Sequence, residues 1–480
     1  MTASSGSRNR TILVLLCVVD FMVALDFSIM NVTLPVIKKV FDLSPGSLQW
    51  VISAYALAFG GLLILGGRAA DYYGRRRVLM AGLIIFSLAS LAAGLSQDAQ
   101  MLIILRGAQG LGAAVIAPSA LSLLTSTFVE QRERQRALGA WGAVLGAGFV
   151  CGVILGGVIT QYLGWRWVLL VNAPIAAVLA VLCPFTLPEG RDQMARHRLD
   201  VPGALLVTAG VTAIVYALST ADTAGWLSGQ TLGVIAAGIV LLVAFAMVEP
   251  RVTEPVIPMR VFRMRPVVVA NSANLLLMGS YVGVIFVLTL FLQEVAGFSP
   301  LRTGLTFAAA GVAGFAGGVA GGKVVGTAGV RVAIVASATI QAAATLALVT
   351  LPHSHTMVLV AAGAVVLNFA DVVAIVSITV AATTGIPVAD QGLASGLVTA
   401  TQQVGAALGL AVVAAVVAGQ TTSAAPAALL HAYRWGLITA TLIATLAALL
   451  ALVAMGAPSR SQATTPVAAE AEPRSRVPQG

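Results

Sequence analysis

The chain has 480 residues, of which 59% are hydrophobic and only 9% are charged. Soluble domains carry about 25% charged residues, so this composition excludes an ordinary globular protein. Apolar runs of about 20 residues, the length that crosses a hydrocarbon core, recur along the chain and predict a helical membrane protein. A transmembrane β-barrel would instead show alternating segments of about ten residues, which the sequence lacks.

The net charge of +9 suggests a nucleic-acid ligand, but the distribution of the charge argues against one. Most of the 27 lysines and arginines fall in loops and termini on one side of the proposed spans. Loops rich in Lys and Arg stay in the cytoplasm, so this asymmetry predicts that both termini are cytoplasmic. The excess of lysine and arginine therefore indicates how the protein is oriented in the cell membrane. We expect no nucleic-acid partner.

The cysteines and histidines form no recognisable reactive or metal site in the sequence. Cys17, Cys151 and Cys183 lie in apolar segments, where cysteine is typical of a packed core. The four histidines lie outside the proposed spans, and no H-E-x-x-H pattern occurs. We therefore expect no cofactor, no metal and no enzymatic activity.

The apolar runs group as six, then two, then six, and the two groups of six echo each other. The expected fold is an all-α polytopic membrane protein with fourteen transmembrane helices. Two six-helix bundles form pseudo-repeats, a transporter arrangement that places a binding site between the halves. We predict a cytoplasmic tail at 1–10, the first bundle at 11–190 and two linker helices at 191–260. The second bundle is predicted at 261–455 and a disordered cytoplasmic tail at 456–480.

A charged loop between the second and third spans carries the most specific motif. It runs from Gly67 to Arg77 and reads G-R-A-A-D-Y-Y-G-R-R-R. A similar segment in the second half, Gly321 to Arg331, aligns with Gly66 to Arg76, and Gly326 replaces Asp71 in it. The spacing G-x-x-x-D-x-x-G-R-R-R resembles the loop that joins helices two and three in the major facilitator superfamily of secondary transporters.

This resemblance implies a gating role for the loop. In the family, the acid lies against a helix N-terminus of the other half and holds the cytoplasmic side shut, so Asp71 is expected to do the same. The alternative is a basic loop that only sets topology. The residues carried over from the family motif are Gly67, Arg68, Asp71, Gly74, Arg75 and Arg76.

The first span contains L-D-F-S-I-M-N-V-T-L-P, which resembles the first-helix motif of the drug:proton antiporters. The match includes Asp26, Asn31 and Pro35, whereas Asp20 is less usual there. A charged carboxylate in a bilayer costs roughly 2.5–3.5 kcal/mol, so each acid needs a cavity or a partner. Asp20 and Asn31 share one helix face and Asp26 lies on another. We predict that Asp26 binds the proton or cation and that Asp20 is a packing or helix-partner group.

The fourth span contains L-R-G-A-Q-G-L-G-A-A, in which Arg106 and Gln109 lie one turn apart on one face. This resembles the family's fourth-helix motif, whose arginine is linked to proton handling. An intramembrane arginine stays charged and needs a carboxylate or carbonyl partner. Arg106 is therefore expected either to pair with a cavity acid during proton transfer or to form a structural ion pair that locks two helices.

The fifth span resembles the antiporter signature of the same family, with one departure. Its glycines have the expected spacing, but Val153 stands where the family has a proline. Small residues let helices approach closely, so a packing role is also open. The glycines expected to pack in this motif are Gly148, Gly152, Gly156 and Gly157.

Two further acids lie in the second half. Asp371, one turn after Asn368, is near the centre of the twelfth span, where the family pattern requires no acid. It is expected to be either a substrate or coupling residue or an acid paired within the bundle. Glu294 follows L-F-L-Q at the end of the ninth span, and we expect it to be solvated near the outer mouth.

Together these motifs resemble those of a fourteen-helix drug:proton antiporter. The resemblance implies export of amphiphilic drugs or antibiotics in exchange for protons by alternating access. The alternative is a dedicated exporter or importer of one metabolite. An intramembrane enzyme is disfavoured because the spans contain no catalytic histidine or cysteine pattern. A receptor or scaffold is disfavoured because it would not need the buried acids and Arg106. The expected partners are an amphiphilic small molecule, protons and the lipid bilayer, and the protein is expected to be a monomer.

The charge asymmetry yields a topology prediction. Reporter fusions at Gly190 and Gly480 should both give cytoplasmic signals, because an even number of spans returns the chain to its starting side. A signal from the opposite side at either position would contradict the fourteen-span arrangement.

Overall fold

A computed structural model describes residues 3–128, 130–188, 200–252, 264–350, 356–384 and 391–455. These residues form helices and short turns, and no strand occurs among them. The hydrocarbon core offers no water to the backbone, so each N–H and C=O group must be bonded within its own segment, as in a helix. The predicted all-α class is confirmed.

Fourteen helical segments in the described ranges are long and apolar enough to cross a membrane, as predicted. Four of them join two helical elements. A short and a long α-helix form two of these spans, α2 with α3 and α7 with α8. The 3-10 helix Glu249–Arg251 extends α10, and the π-helix Phe291–Val295 extends α11. The first helix begins at Ala3, inside the segment predicted as a polar tail. The helices are α1 (Ala3–Phe41), α2 (Pro45–Leu48), α3 (Trp50–Tyr73), α4 (Arg75–Gly94), α5 (Ala99–Thr127), α6 (Gln131–Tyr162), α7 (Trp165–Leu170), α8 (Asn172–Thr186), α9 (Val201–Ala224), α10 (Gly229–Val248), α11 (Arg265–Leu290), α12 (Pro300–Ala328), α13 (Val330–Val349), α14 (Thr356–Thr383), α15 (Gln391–Gln420) and α16 (Pro426–Ala454).

The two groups of six helices pack in the same way. In the first half α1 packs on α6, α3 on α5 and α4 on α8. The equivalent pairs of the second half are α11 with α15, α12 with α14 and α13 with α16. The halves meet where α6 packs on α12 and α3 packs on α15, while α9 and α10 pack on each other and α9 rests on α3 and α15. The architecture is therefore two pseudo-repeated bundles with two peripheral helices.

The prediction that Gly67–Arg77 is a loop is wrong, because α3 continues to Tyr73 and α4 begins at Arg75, so that only Gly74 lies outside a helix. The echo in the second half has the same break at Gly329. Gly74 has φ +99° and Gly329 has φ +84°, left-handed values that favour glycine. Two residues later, Arg76 Nη1 donates to the Leu187 carbonyl at 3.2 Å, at the end of α8. Arg331 Nη2 likewise donates to a carbonyl near the end of α16, that of Leu452, at 2.5 Å. Each half thus uses one arginine to cap the carbonyl end of its last helix.

On the side opposite the charged loop, polar contacts tie the two halves together. Lys38 Nζ at the end of α1 lies 2.8 Å from Glu294 Oε1, just after α11. Tyr433 on α16 donates to Glu294 Oε2 at 2.5 Å. Gln293 Nε2 donates to the Val32 carbonyl at 2.8 Å. The expectation that Glu294 is solvated is wrong, since its side chain is only 7% exposed: partners from two other helices cover it.

The glycines of α6 allow unusually close helix contacts. A methyl group added at Gly156 would lie 2.8 Å from the Ile29 carbonyl oxygen on α1. One added at Gly157 would lie 2.8 Å from the Pro300 carbonyl oxygen in the second half. The α6 helix therefore packs on α1 through Gly148, Gly152 and Gly156, and on α12 through Gly157.

Gly152 offers a test of this packing. A methyl group there would collide with Ser28 Oγ and lie 2.8 Å from the Leu25 carbonyl oxygen, whereas nothing lies within 4 Å of one at Gly139. Gly152→Ala should destabilise the protein by about 1–3 kcal/mol through overpacking. Gly139→Ala, the control in the same helix, should be neutral or stabilising by up to about 1 kcal/mol. Equal melting temperatures of the two purified variants in detergent would contradict the packing.

Candidate functional site

A buried ion pair lies inside the first half. Arg106 Nη1 on α5 is 2.8 Å from Asp26 Oδ2 on α1, and the side chains are 1% and 0% exposed. Both charges sit within apolar spans, where an unpaired charge is costly. The expectation that Arg106 pairs with an acid is realised in this geometry, and the acid is Asp26.

Other polar groups complete the coordination of this pair. Asn172 Nδ2, at the first residue of α8, donates to Asp26 Oδ1 at 2.7 Å. Arg106 Nε donates to the Val51 carbonyl at 3.0 Å, and Arg106 Nη1 also donates to Gln109 Oε1 at 2.9 Å. Five helices therefore converge on one carboxylate and one guanidinium: α1, α3, α4, α5 and α8.

The α4 contribution comes through Gln109, whose Nε2 donates to Ser90 Oγ at 2.6 Å. The α3 contribution includes Tyr55, whose ring centroid lies 4.5 Å from the Arg106 guanidinium carbon. Such a cation–π contact contributes about 2 kcal/mol when desolvated. Sequence patterns predicted Asp26, Arg106 and Gln109, but Tyr55 and Ser90 carry no signal of their own. Only the α3 and α4 packing identifies them.

Asp20 and Asn31, the other candidates on α1, stay outside this network. Asn31 Nδ2 donates to the Phe27 carbonyl of its own helix at 3.3 Å. Asp20 is 5% exposed, and no described residue forms a hydrogen bond or ion pair with it. The predicted helix partner of Asp20 is therefore not found among the described residues.

Asp371 on α14 is the buried acid predicted in the second half. It is 4% exposed, and no described residue forms a hydrogen bond or ion pair with it. One turn away, Asn368 Nδ2 donates to the Ala310 carbonyl at 2.6 Å and accepts a hydrogen bond from Tyr281 at 3.1 Å. The sequence predicts that Asp371 is either a substrate or coupling residue or an acid paired within the bundle. No such pairing is found among the described residues.

The charged loop has a local ion pair. Asp71 Oδ1 lies 3.4 Å from Arg75 Nε, and the Asp71 side chain is 40% exposed. An exposed pair of this kind contributes about 0.2–1 kcal/mol. A methyl group at Gly67 would be 3.5 Å from Pro118 Cβ on α5, an ordinary contact distance. The contact of Asp71 with the second half remains a prediction.

The buried pair predicts non-additive stability. Arg106→Leu leaves the Asp26 carboxylate without its cation and should destabilise the protein by about 3–5 kcal/mol. Adding Asp26→Asn removes the stranded charge and should recover part of that loss. Asp71→Asn, which breaks the exposed loop pair, serves as the control and should change stability by less than about 1 kcal/mol.

Melting temperatures of the purified variants in detergent give the measurement. A double variant no more stable than Arg106→Leu alone would contradict the assigned pair, because the two groups would then act independently.

Comparisons with known proteins agree with this geometry. Residues 16–410 match the model of the Major Facilitator Superfamily. The chain is 40% identical over 438 residues to the cephamycin export protein CmcT of Amycolatopsis lactamdurans, covering 90% of this chain and 89% of that one. It is 32% identical to the lincomycin resistance protein of Streptomyces lincolnensis, covering 85% of each chain.

Among solved structures, the nucleoside transporter NupG superposes with a TM-score of 0.67 at 13% identity, covering 93% of this chain and 100% of that one. At this identity the likeness shows the fold alone. The family is instead shown by the match to the family model over most of the sequence and by the relatives, which are named for antibiotic export and resistance. The chain belongs to the Major Facilitator Superfamily of membrane transporters.

Proposed function

We propose that the protein is a secondary transporter that exports amphiphilic antibiotics or drugs in exchange for protons by alternating access. The observation that carries the proposal is the Asp26–Arg106 pair, buried between apolar helices in the first half. The names of the relatives, which include export and resistance proteins, support the direction of transport.

The pair suits proton coupling because the two states of Asp26 require different surroundings. The carboxylate is stable in the bilayer only while Arg106 and Asn172 hold it. A helix movement that separates these groups leaves the Asp26 carboxylate charged in an apolar medium, and binding a proton removes that negative charge. Arg106 stays charged and has the Val51 carbonyl and the Tyr55 ring among its other contacts. Protonation and helix movement are thereby linked. An inward proton releases about 2.3 kcal/mol per 100 mV of membrane potential, which can drive export.

Alternating access requires contacts that hold one side closed at a time. The contacts of Lys38, Glu294 and Tyr433 support closure of the side opposite the charged loop. On the loop side, Arg76 attaches α4 to the end of α8, so these helices would move as a unit. We propose that the other residues of the Gly67–Arg77 motif close the loop side, and that Asp71 supplies the negative charge for this contact.

The second candidate is a dedicated exporter of one metabolite. The observation that favours it is that two relatives are each named for a single antibiotic, cephamycin and lincomycin. In either case the protein is proposed to act as a monomer in the cell membrane with both termini in the cytoplasm. A lipophilic substrate would reach it through the cytoplasm or the bilayer.

Asp26→Asn tests the coupling role. Asparagine is nearly isosteric but cannot exchange a proton, so export driven by an imposed pH gradient in proteoliposomes should fall at least about tenfold. Asp98→Asn is the matched control. Asp98 caps α5 by accepting the Met101 N–H at 2.7 Å, and asparagine caps helices equally well.

The Asp98→Asn variant should transport at the unaltered rate. Gradient-driven export by Asp26→Asn at that same rate would refute the assignment of Asp26. Absence of pH-driven flux in the unaltered protein would refute proton antiport altogether.

A further inference from the structure

Helix α9 lies across the seam between the two halves. It packs on α3 of the first half and on α15 of the second half, and α10 packs on α9. The two linker helices therefore contact both halves, which move relative to each other in the proposed transport cycle. One buried apolar cluster contains residues of α3, α9 and α15: Ala56 and Leu57, Val211 and Val215, and Ala407 and Ala411.

The contacts of α9 with the first half include a directional one. Trp50 Nε1, at the first residue of α3, donates to Ser219 Oγ at 2.8 Å. The ring centroids of Trp50 and Tyr216 are 6.4 Å apart. A methyl group added at Gly46 on α2 would lie 2.7 Å from the Ser219 carbonyl oxygen. The hydrogen bond and the close backbone approach both require one relative position of α9 and the first half.

A second contact with the first half lies further along α9. A methyl group added at Gly61 on α3 would lie 2.9 Å from Thr208 Cβ, so the Thr208 side chain occupies space that only a glycine leaves open. Thr208 and Ser219 are eleven residues apart, about 17 Å along the helix. The first half therefore holds α9 at two separate levels.

The contact of α9 with α15 is of a different kind. On α15 it consists of apolar side chains, which are Val404, Leu408 and the two alanines of the cluster. No hydrogen bond or ion pair joins α9 to α15 among the described residues. An apolar contact of this kind does not fix one relative position, and sliding of packed helices is a common form of domain movement.

We infer that the α9–α10 hairpin is a seal that moves with the first half, while α15 slides along α9. This inference rests on alternating access, as proposed above, and assigns a role to the two helices between the halves. Because α9 stays against α3 and needs only apolar contact with α15, it covers this seam against lipid throughout the movement. Trp50 and Ser219 are the residues that anchor the hairpin.

Distances between spin labels test which half carries the hairpin. Gln97 in the first half, Leu227 between α9 and α10, and Thr422 after α15 are exposed and lie on the side opposite the charged loop. Each pair is replaced by labelled cysteines in a chain whose three native cysteines are alanine. Pulsed electron paramagnetic resonance in lipid discs then gives the three distance distributions.

The halves are displaced by Lys38→Met, which removes the ion pair with Glu294 and should open this side. The distance from Gln97 to Thr422 should lengthen, and that from Leu227 to Thr422 should change with it. The distribution from Gln97 to Leu227 should stay the same. Lys39→Met, a matched control at the exposed neighbouring lysine, should leave all three distributions unchanged.

Three results would overturn the inference. A change from Gln97 to Leu227 without a change from Leu227 to Thr422 would assign the hairpin to the second half. Changes in both would show that the hairpin is fixed to neither half. No change in any pair would show that α15 does not slide along α9.

The anchor has its own test in the same measurement. Trp50→Phe keeps an aromatic ring but loses the N–H group, so the distribution from Gln97 to Leu227 should broaden. Trp167→Phe, at an exposed tryptophan, is the control and should not broaden it. An unchanged distribution in Trp50→Phe would refute the anchoring role of the bond to Ser219.

These distances require no transport. The expected distances without gradient-driven flux would support the hairpin assignment and refute the antiport proposal. Gradient-driven flux with a hairpin that follows the second half would do the reverse.

Discussion

The constraint on which the structure depends is that a charge inside the bilayer must have a partner. Arg106 cannot lose its charge, so α1, α3, α5 and α8 supply groups to it or to Asp26, and α4 is connected to it through Gln109. A single guanidinium thus fixes the relative positions of most of the first bundle. The same constraint makes the bundle sensitive to protonation, because the Asp26–Arg106 ion pair loses its negative partner when the carboxylate becomes neutral, while Arg106 stays charged.

The two halves share their helix packing but differ in the polar residues inside each bundle. Both halves use equivalent helix pairs, a glycine with positive φ in the charged segment (Gly74 or Gly329) and an arginine cap on their last helix. They differ inside the bundles, where the first half holds a charge pair and the second half holds Tyr281, Asn368 and an Asp371 without a hydrogen-bond or ion-pair partner among the described residues. A duplicated fold can therefore keep its packing while each copy acquires a different interaction with ions.

The contacts between the halves also divide into two kinds. Near Lys38 and Glu294 they are charged and directional, and they can be broken and remade. Along α6 the contact is a close approach of glycine to backbone, at Gly157 toward the start of α12. Glycine lets the two backbones approach this closely because it carries no side chain. Transport by alternating access, as proposed, needs both kinds of contact.

Composition and motif spacing by themselves determined the membrane class, the fourteen spans and the six–two–six grouping, because hydropathy reports directly on transfer to lipid. Motifs also singled out Asp26, Arg106 and Gln109 before any contact was known. Only the tertiary structure decided which acid Arg106 meets, that Asn172 and Tyr55 complete the site, and that Glu294 is covered while Asp20 and Asp371 have no partner. Helix periodicity gives the face of a residue on its own helix, whereas a partner depends on the rotation and depth of a second helix, which are set by packing between segments far apart in the chain.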